Sequence, residues 1–151
     1  MPGKRQLVAL VALVGLFVAL YLTLYKLGYI GEITCAVGSC EVVQTSRWAT
    51  FLGLPVAAWG VGYYLSVFGI AMAGTTLRWE DSRGLSLVLL ALTTWGALFS
   101  LWLTYLELFV IDAICQWCVV SAILAVLLFV LAWMDYREFR PEAVPGAEPT
   151  T

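Results

Sequence analysis

Long uncharged apolar runs dominate this 151-residue chain. A membrane-crossing helix needs about 20 predominantly apolar residues. Gln6–Leu27 meets that length, with no charge from Leu7 to Tyr25. The next uncharged stretch covers Trp48–Leu77. Pro55 suits the first turn of a helix, where its missing N–H costs little, so the second helix is expected at Pro55–Ala73. Gly74 and Thr75 end it, and Arg78-Trp79-Glu80-Asp81-Ser82-Arg83 makes a short charged connection. The third and fourth helices are expected at Leu85–Phe109 and Ala113–Met134. Lipid offers no hydrogen-bond partners, so each span must satisfy its own backbone, and four spans close most simply into an antiparallel bundle. The expected fold class is an all-α membrane protein, a four-helix transmembrane bundle over residues 1–136. The tail, 137–151, holds three prolines and three glutamates and is expected to be disordered. Lys4 and Arg5 ahead of the first run also fit a signal peptide. The run, however, exceeds an h-region of about 7–15 residues, and no A-x-A-like site follows it.

Composition narrows the chemistry. The chain is 62 % hydrophobic and 12 % charged, against roughly 45–50 % and about 25 % in soluble domains. It contains no histidine, which removes His-ligated haem, His-containing zinc sites and a His general base. Eight basic residues against ten acidic ones provide no concentrated basic face for nucleic acid. The basic residues are unevenly placed. Lys4 and Arg5 precede the first helix, Arg78 and Arg83 separate the second and third, and Arg137 and Arg140 follow the fourth. Only Lys26 and Arg47 fall on the other side. The positive-inside rule therefore puts both termini in the cytoplasm. Small residues at Gly15 and Ala19, Ala58 and Gly62, and Gly69 and Ala73 allow close helix approach.

The four cysteines all fall toward the opposite, non-cytoplasmic surface, where disulfides persist. Cys35 and Cys40 lie between the first two helices, in a loop that Gly28, Gly31 and Gly38 allow to bend. Ser39 is placed to cap a short helix through Glu41–Ser46. Cys115-Gln116-Trp117-Cys118 opens the fourth helix. Three-residue spacing puts both sulfurs on one helix face, and the unpaired N–H groups of a helix start favour thiolate. Asp112 is the expected cap of that helix, and Glu107 is expected to mark the interface where the third helix ends. Redox-active pairs, two structural disulfides and a four-cysteine metal site are each compatible with this pattern.

These residues resemble the vitamin K epoxide reductase family in its bacterial form, over residues 6–136. Cys35-x4-Cys40 is similar to the family's loop pair, and Cys40-Glu-Val-Val-Gln-Thr-Ser46 to the stretch after the second loop cysteine. Phe51-Leu-Gly-Leu-Pro55 looks like the lead into the second helix, and Cys115-Gln-Trp-Cys118 like the C-x-x-C beside the quinone. The resemblance implies a plasma-membrane oxidoreductase with its cysteines facing the periplasm or outside. In that scheme a quinone, menaquinone or ubiquinone, oxidises Cys115/Cys118. Cys40 passes electrons from the loop pair to Cys115, and Cys35 exchanges with a thioredoxin-like (DsbA-type) extracytoplasmic protein. Cys118 lies nearest the quinone ring, and Ser46 supports the quinone-facing site. Within that frame, Trp102, Tyr105, Leu106 and Phe109, at helical spacing on the third helix, form either ordinary packing or a quinone wall, with Tyr105 and Phe109 as candidate contacts.

Two departures bear on substrate. Animal members carry a Tyr four residues after the second C-x-x-C cysteine, where this chain has Ala122. That favours ordinary quinone reduction over vitamin K epoxide reduction proper. Many bacterial members carry a fused thioredoxin-like domain, whereas this chain ends at Thr151, so a separate partner is expected. The DsbB-type oxidases, with their C-x-x-C in the first outer loop, show the reverse order of cysteine pairs.

Overall fold

The computed structural model describes residues 2–29, 31, 38, 40–76 and 83–139. The chain runs through α1 (Pro2–Lys26), α2 (Cys40–Thr45), a 3-10 turn (Arg47–Ala49), a minimal hairpin of β1 (Thr50–Phe51) and β2 (Leu54–Pro55), and α3 (Val56–Ala73). It continues through α4 (Arg83–Tyr105), a π-helical stretch (Leu106–Ile111) and α5 (Gln116–Phe139). Four segments are long and apolar enough to cross a membrane: Gly3–Lys26, Val56–Ala73, Arg83–Ile111 and Gln116–Glu138. The all-α, four-helix membrane fold expected from the apolar runs is the fold observed. Its fourth helix begins at Gln116 rather than Ala113, because the chain first closes the π-helical stretch through a left-handed Asp112 (φ 55°). That helix also continues to Phe139, past its expected end at Met134 and three residues into the tail expected to be disordered. Residues 140–151 and the 77–82 connection lie outside the described residues.

Helix α1 packs on both α3 and α5, and α5 packs on α4, whereas α3 and α4 touch only lightly. The bundle therefore closes around α1 and α5 and leaves a gap between the other two. Its core holds Val8, Ala12, Tyr64, Val67, Leu89 and Leu128. Outward faces are just as apolar, with Phe17, Leu65, Leu98 and Ile123 exposed, because the solvent there is hydrocarbon. One small residue allows a close approach between α1 and α3. A Cβ on Gly15 would overlap the ring of Tyr64, whose hydroxyl donates to the Ser121 carbonyl at 2.7 Å. Gly62 and Gly69 face open space and mark no helix contact.

The terminal end of the bundle is tied by a buried polar knot. Arg5 Nε donates to Asp135 Oδ2 at 3.2 Å, and Arg5 Nη1 donates to the Gly74 carbonyl at 3.0 Å. Ser86 Oγ donates to the same Asp135 oxygen at 2.7 Å. Both charged side chains are essentially inaccessible, and a Cβ at Gly74 would press on the Arg5 stem. These contacts join α1, the end of α3, α4 and α5, and Lys4 adds an ion pair to Glu138. The knot also explains why α5 remains helical beyond residue 136. A buried ion pair that loses one partner strands the other charge at a cost of about 3–5 kcal/mol, whereas an apolar replacement of both is near neutral. Asp135→Ala is accordingly expected to lower stability by about that amount, and Arg5→Met with Asp135→Leu to recover most of it. Denaturant unfolding in detergent checks both.

Candidate functional site

At the other end of the bundle, α5 starts one residue after Cys115. The Cys115 carbonyl accepts the first helical bond, from Val119 N–H at 3.0 Å. Cys118 follows in the first turn, on the same face. Cys115 is fully buried and Cys118 half-buried, both as free thiols. The backbone of Cys115 is held from two sides. Gly38, in the loop between α1 and α2, pairs with it in an isolated antiparallel bridge. Gly38 has φ +88°, and a Cβ there would run into the Ile114 carbonyl, so only glycine fits this approach. From the other side, Glu107 Oε2 accepts the Cys115 backbone N–H at 3.2 Å. Asp112, the expected cap, is exposed and instead closes the π-helical stretch onto the Glu107 carbonyl.

Helix α2 lies against the sulfur pair. Val43 packs on Cys115 together with Ile111, Trp117 and Cys118. Gln44 is buried, and its Nε2 donates to Cys118 Sγ at 3.2 Å, with Cys115 Sγ at 3.8 Å. Two bonds secure the end of this short helix. Lys26 Nζ donates to the Gln44 carbonyl at 2.7 Å, and Ser46 Oγ donates to the Val43 carbonyl at 2.7 Å. The Cys115 thiol is lowered from 9.0 to about 7. Hydrogen bonding from the Cys118 side chain is the largest cause, helped by the Cys118 backbone and the Gln44 amide. Together they outweigh burial and the nearby Glu107 charge.

Below the sulfurs, a cavity of 580 Å³ occupies the gap between α3 and α4. Cys118, Ser46, Gln44, Glu107, Tyr63 and Ala122 all reach it, and most of the remaining wall is apolar. The Tyr63 ring sits over Gly96, where a Cβ would overlap it. Its hydroxyl is buried and has no hydrogen-bond partner among the described residues. The hairpin forms part of the rim, with Phe51 against Trp59 and Phe99 and Trp59 Nε1 donating to the Phe51 carbonyl at 2.9 Å.

Several sequence expectations fall elsewhere. Tyr105 and Phe109 do not line the cavity. Both are exposed on the outer face of the third span, with their rings 5.1 Å apart, and Trp102 is exposed as well. Of the expected stripe only Leu106 lines the cavity, and the rest of the wall on this span comes from residues such as Leu92, Phe99 and Leu103. The π-helical stretch adds to the difference, since its i→i+5 bonding changes the register beyond Tyr105. Cys35 lies outside the described residues, and Cys40 is described only as the first backbone position of α2. Among the described residues, no three Cys, Asp or Glu side chains converge as metal ligands would. Gln44 and Tyr63 are the site residues that motif reading passes over, while Glu107, expected as an interface residue, is buried at the site. Gln44 follows Cys40 by one helical turn, and Glu107 is an acid inside an otherwise uncharged run.

The family comparison agrees with this geometry. The model of the vitamin K epoxide reductase family matches residues 6–133. The chain belongs to that family, and with it to the multi-pass helical membrane oxidoreductases whose redox chemistry is linked to quinones.

Proposed function

We propose that the protein is a disulfide-forming oxidoreductase that carries electrons from a separate thioredoxin-like extracytoplasmic protein to a membrane quinone. The path runs through Cys35/Cys40 and then Cys115/Cys118, and it supports disulfide formation in secreted proteins. The observation that carries this reading is the Gly38–Cys115 backbone bridge. It holds the middle of the loop pair against the inner pair, and the second member of the inner pair lines the cavity.

Each step is an exchange in which a thiolate attacks a disulfide and another thiolate leaves. A reduced partner attacks at Cys35 and releases Cys40, Cys40 attacks the inner disulfide at Cys115 and Cys118 leaves, and the partner's second thiol then frees Cys35, which attacks Cys40 and releases Cys115 as thiolate. A lowered Cys115 thiol (about 7) suits this position, since a stabilised thiolate both forms and leaves readily. Gln44, one turn from Cys40 on α2, donates to the sulfur pair and steadies charge there. The cavity fits a quinone head: its 580 Å³ lies within the usual range of about 300–1,000 Å³ for small-molecule sites. Its walls are apolar, and the unpartnered Tyr63 hydroxyl suits a ring carbonyl. When bound, a quinone supplies a two-electron acceptor. Cys118 presents the sulfur to it, Tyr63 donates to its oxygen, and Ser46 supports the wall by holding the end of α2. Ala122 brings no hydroxyl, which favours plain quinone reduction over epoxide reduction. Lys4, Arg83 and Arg137 stand at the terminal end, so the positive-inside rule turns the site end toward the periplasm.

Cys115→Ala and Cys118→Ala are each expected to abolish quinone-dependent oxidation of a reduced partner by the purified protein. Turnover retained in Cys118→Ala would defeat the assignment. Cys35→Ser is expected to block transfer from the partner while leaving Cys115/Cys118 oxidisable by quinone, and thiol trapping after quinone addition distinguishes the two states. The pH dependence follows from the lowered thiol. Cys115 is thiolate above about 7 and is protonated as pH falls below it. In a Cys35→Ser/Cys40→Ser background, alkylation of Cys115 should therefore rise through a midpoint near that value and level off. Cys118→Ala removes the largest hydrogen bond and should move the midpoint upward.

A further inference from the structure

Glu107 has no part in the exchange steps, yet its position is chemically demanding. It lies within the third span and is only 5 % exposed. A carboxylate in that setting is costly and marks proton handling or a paired charge. Among the described residues no Lys or Arg forms an ion pair with it. Its place is instead at the sulfur pair: it accepts the Cys115 backbone N–H at 3.2 Å, beside Cys118 in the first turn of α5. It also lines the same cavity as Cys118 and Tyr63. Capping Cys115 requires only a neutral acceptor, so the cap alone does not account for a buried acid.

We propose that Glu107 is a catalytic base and acid that carries the Cys118 proton to the acceptor ring. The proposal rests on the quinone-reducing reading above. The inner pair starts as Cys115 thiolate and Cys118 thiol. The Cys118 S–H bond breaks onto the Glu107 carboxylate, the S–S bond forms, and two electrons pass to the quinone. Glu107 releases its proton to a ring oxygen and returns to its ionised state. The second proton of the quinol comes from water, replacing the one that Cys115 had already shed. One disulfide and one quinol are formed, with charge and protons balanced.

The test uses full-length protein in detergent, reduced with dithiothreitol, freed of it, and mixed anaerobically with a short-chain ubiquinone or menaquinone. Glu107→Gln keeps an acceptor for the Cys115 N–H but cannot carry the proton. Quinol formation should slow by about 100-fold, the usual scale of general acid–base catalysis, with KM for the quinone unchanged. Glu107→Asp should recover part of the rate. Reduction of the oxidised protein by dithiothreitol, which needs the cysteines but no quinone, should change far less in Glu107→Gln than quinol formation does. Parent-like quinol formation in Glu107→Gln, or equal losses in both assays, would overturn the role of Glu107. A parent protein that forms no quinol with either probe would instead overturn the functional reading beneath it.

Discussion

Hydrocarbon offers no hydrogen bonds, and that constraint organises the molecule. The polar contacts that join three or more elements gather in two places, one at each end. At the terminal end, Arg5, Ser86, Asp135 and the Gly74 carbonyl join all four spans. At the site end, Glu107, Gln44, Lys26 and the Cys115 backbone bind the third and fourth spans to α2 and α1. Between them packing predominates, closest where Tyr64 lies over Gly15 and Tyr63 over Gly96, and the Tyr64 hydroxyl bonds Ser121 across α3 and α5. The light contact between α3 and α4 leaves room for the cavity without breaking either knot. The bundle can therefore be stable while holding a ligand-sized gap.

The two inner sulfurs occupy unequal places because the backbone treats them unequally. Cys115 is clamped between the Gly38 backbone and the Glu107 carboxylate, and its side chain is buried under α2. Cys118 sits one turn inward and meets the cavity. In the proposed function one sulfur therefore deals with thiols and the other with the ring, on a rigid three-residue helical spacing.

Much of this was legible in the residues, and the parts that were not share one physical cause. Uncharged runs locate the spans because charge is costly in lipid, and the spacing of Cys115 and Cys118 follows from helix geometry. Which side of α4 faces inward cannot be read in the same way. A helix that is apolar all round has no periodic face, and lipid accepts Tyr105 and Phe109 as readily as the core would. Nothing in Leu106–Ile111 announces π-helical bonding, so its effect on Glu107 appears only in three dimensions. Arg5 reads in sequence as a topology-setting charge. Its partner Asp135 lies 130 positions away, beyond any local pattern.

The Gly38 contact fixes more than proximity. A chain anchored at one residue can swing its neighbours only as far as the intervening bonds extend, at most about 3.3–3.6 Å per residue. Cys40 stands two residues from the anchor and Cys35 three, giving radii of about 7 Å and about 10 Å. In the proposed function, a loop cysteine within that reach of Cys115 can meet it without displacing a membrane helix.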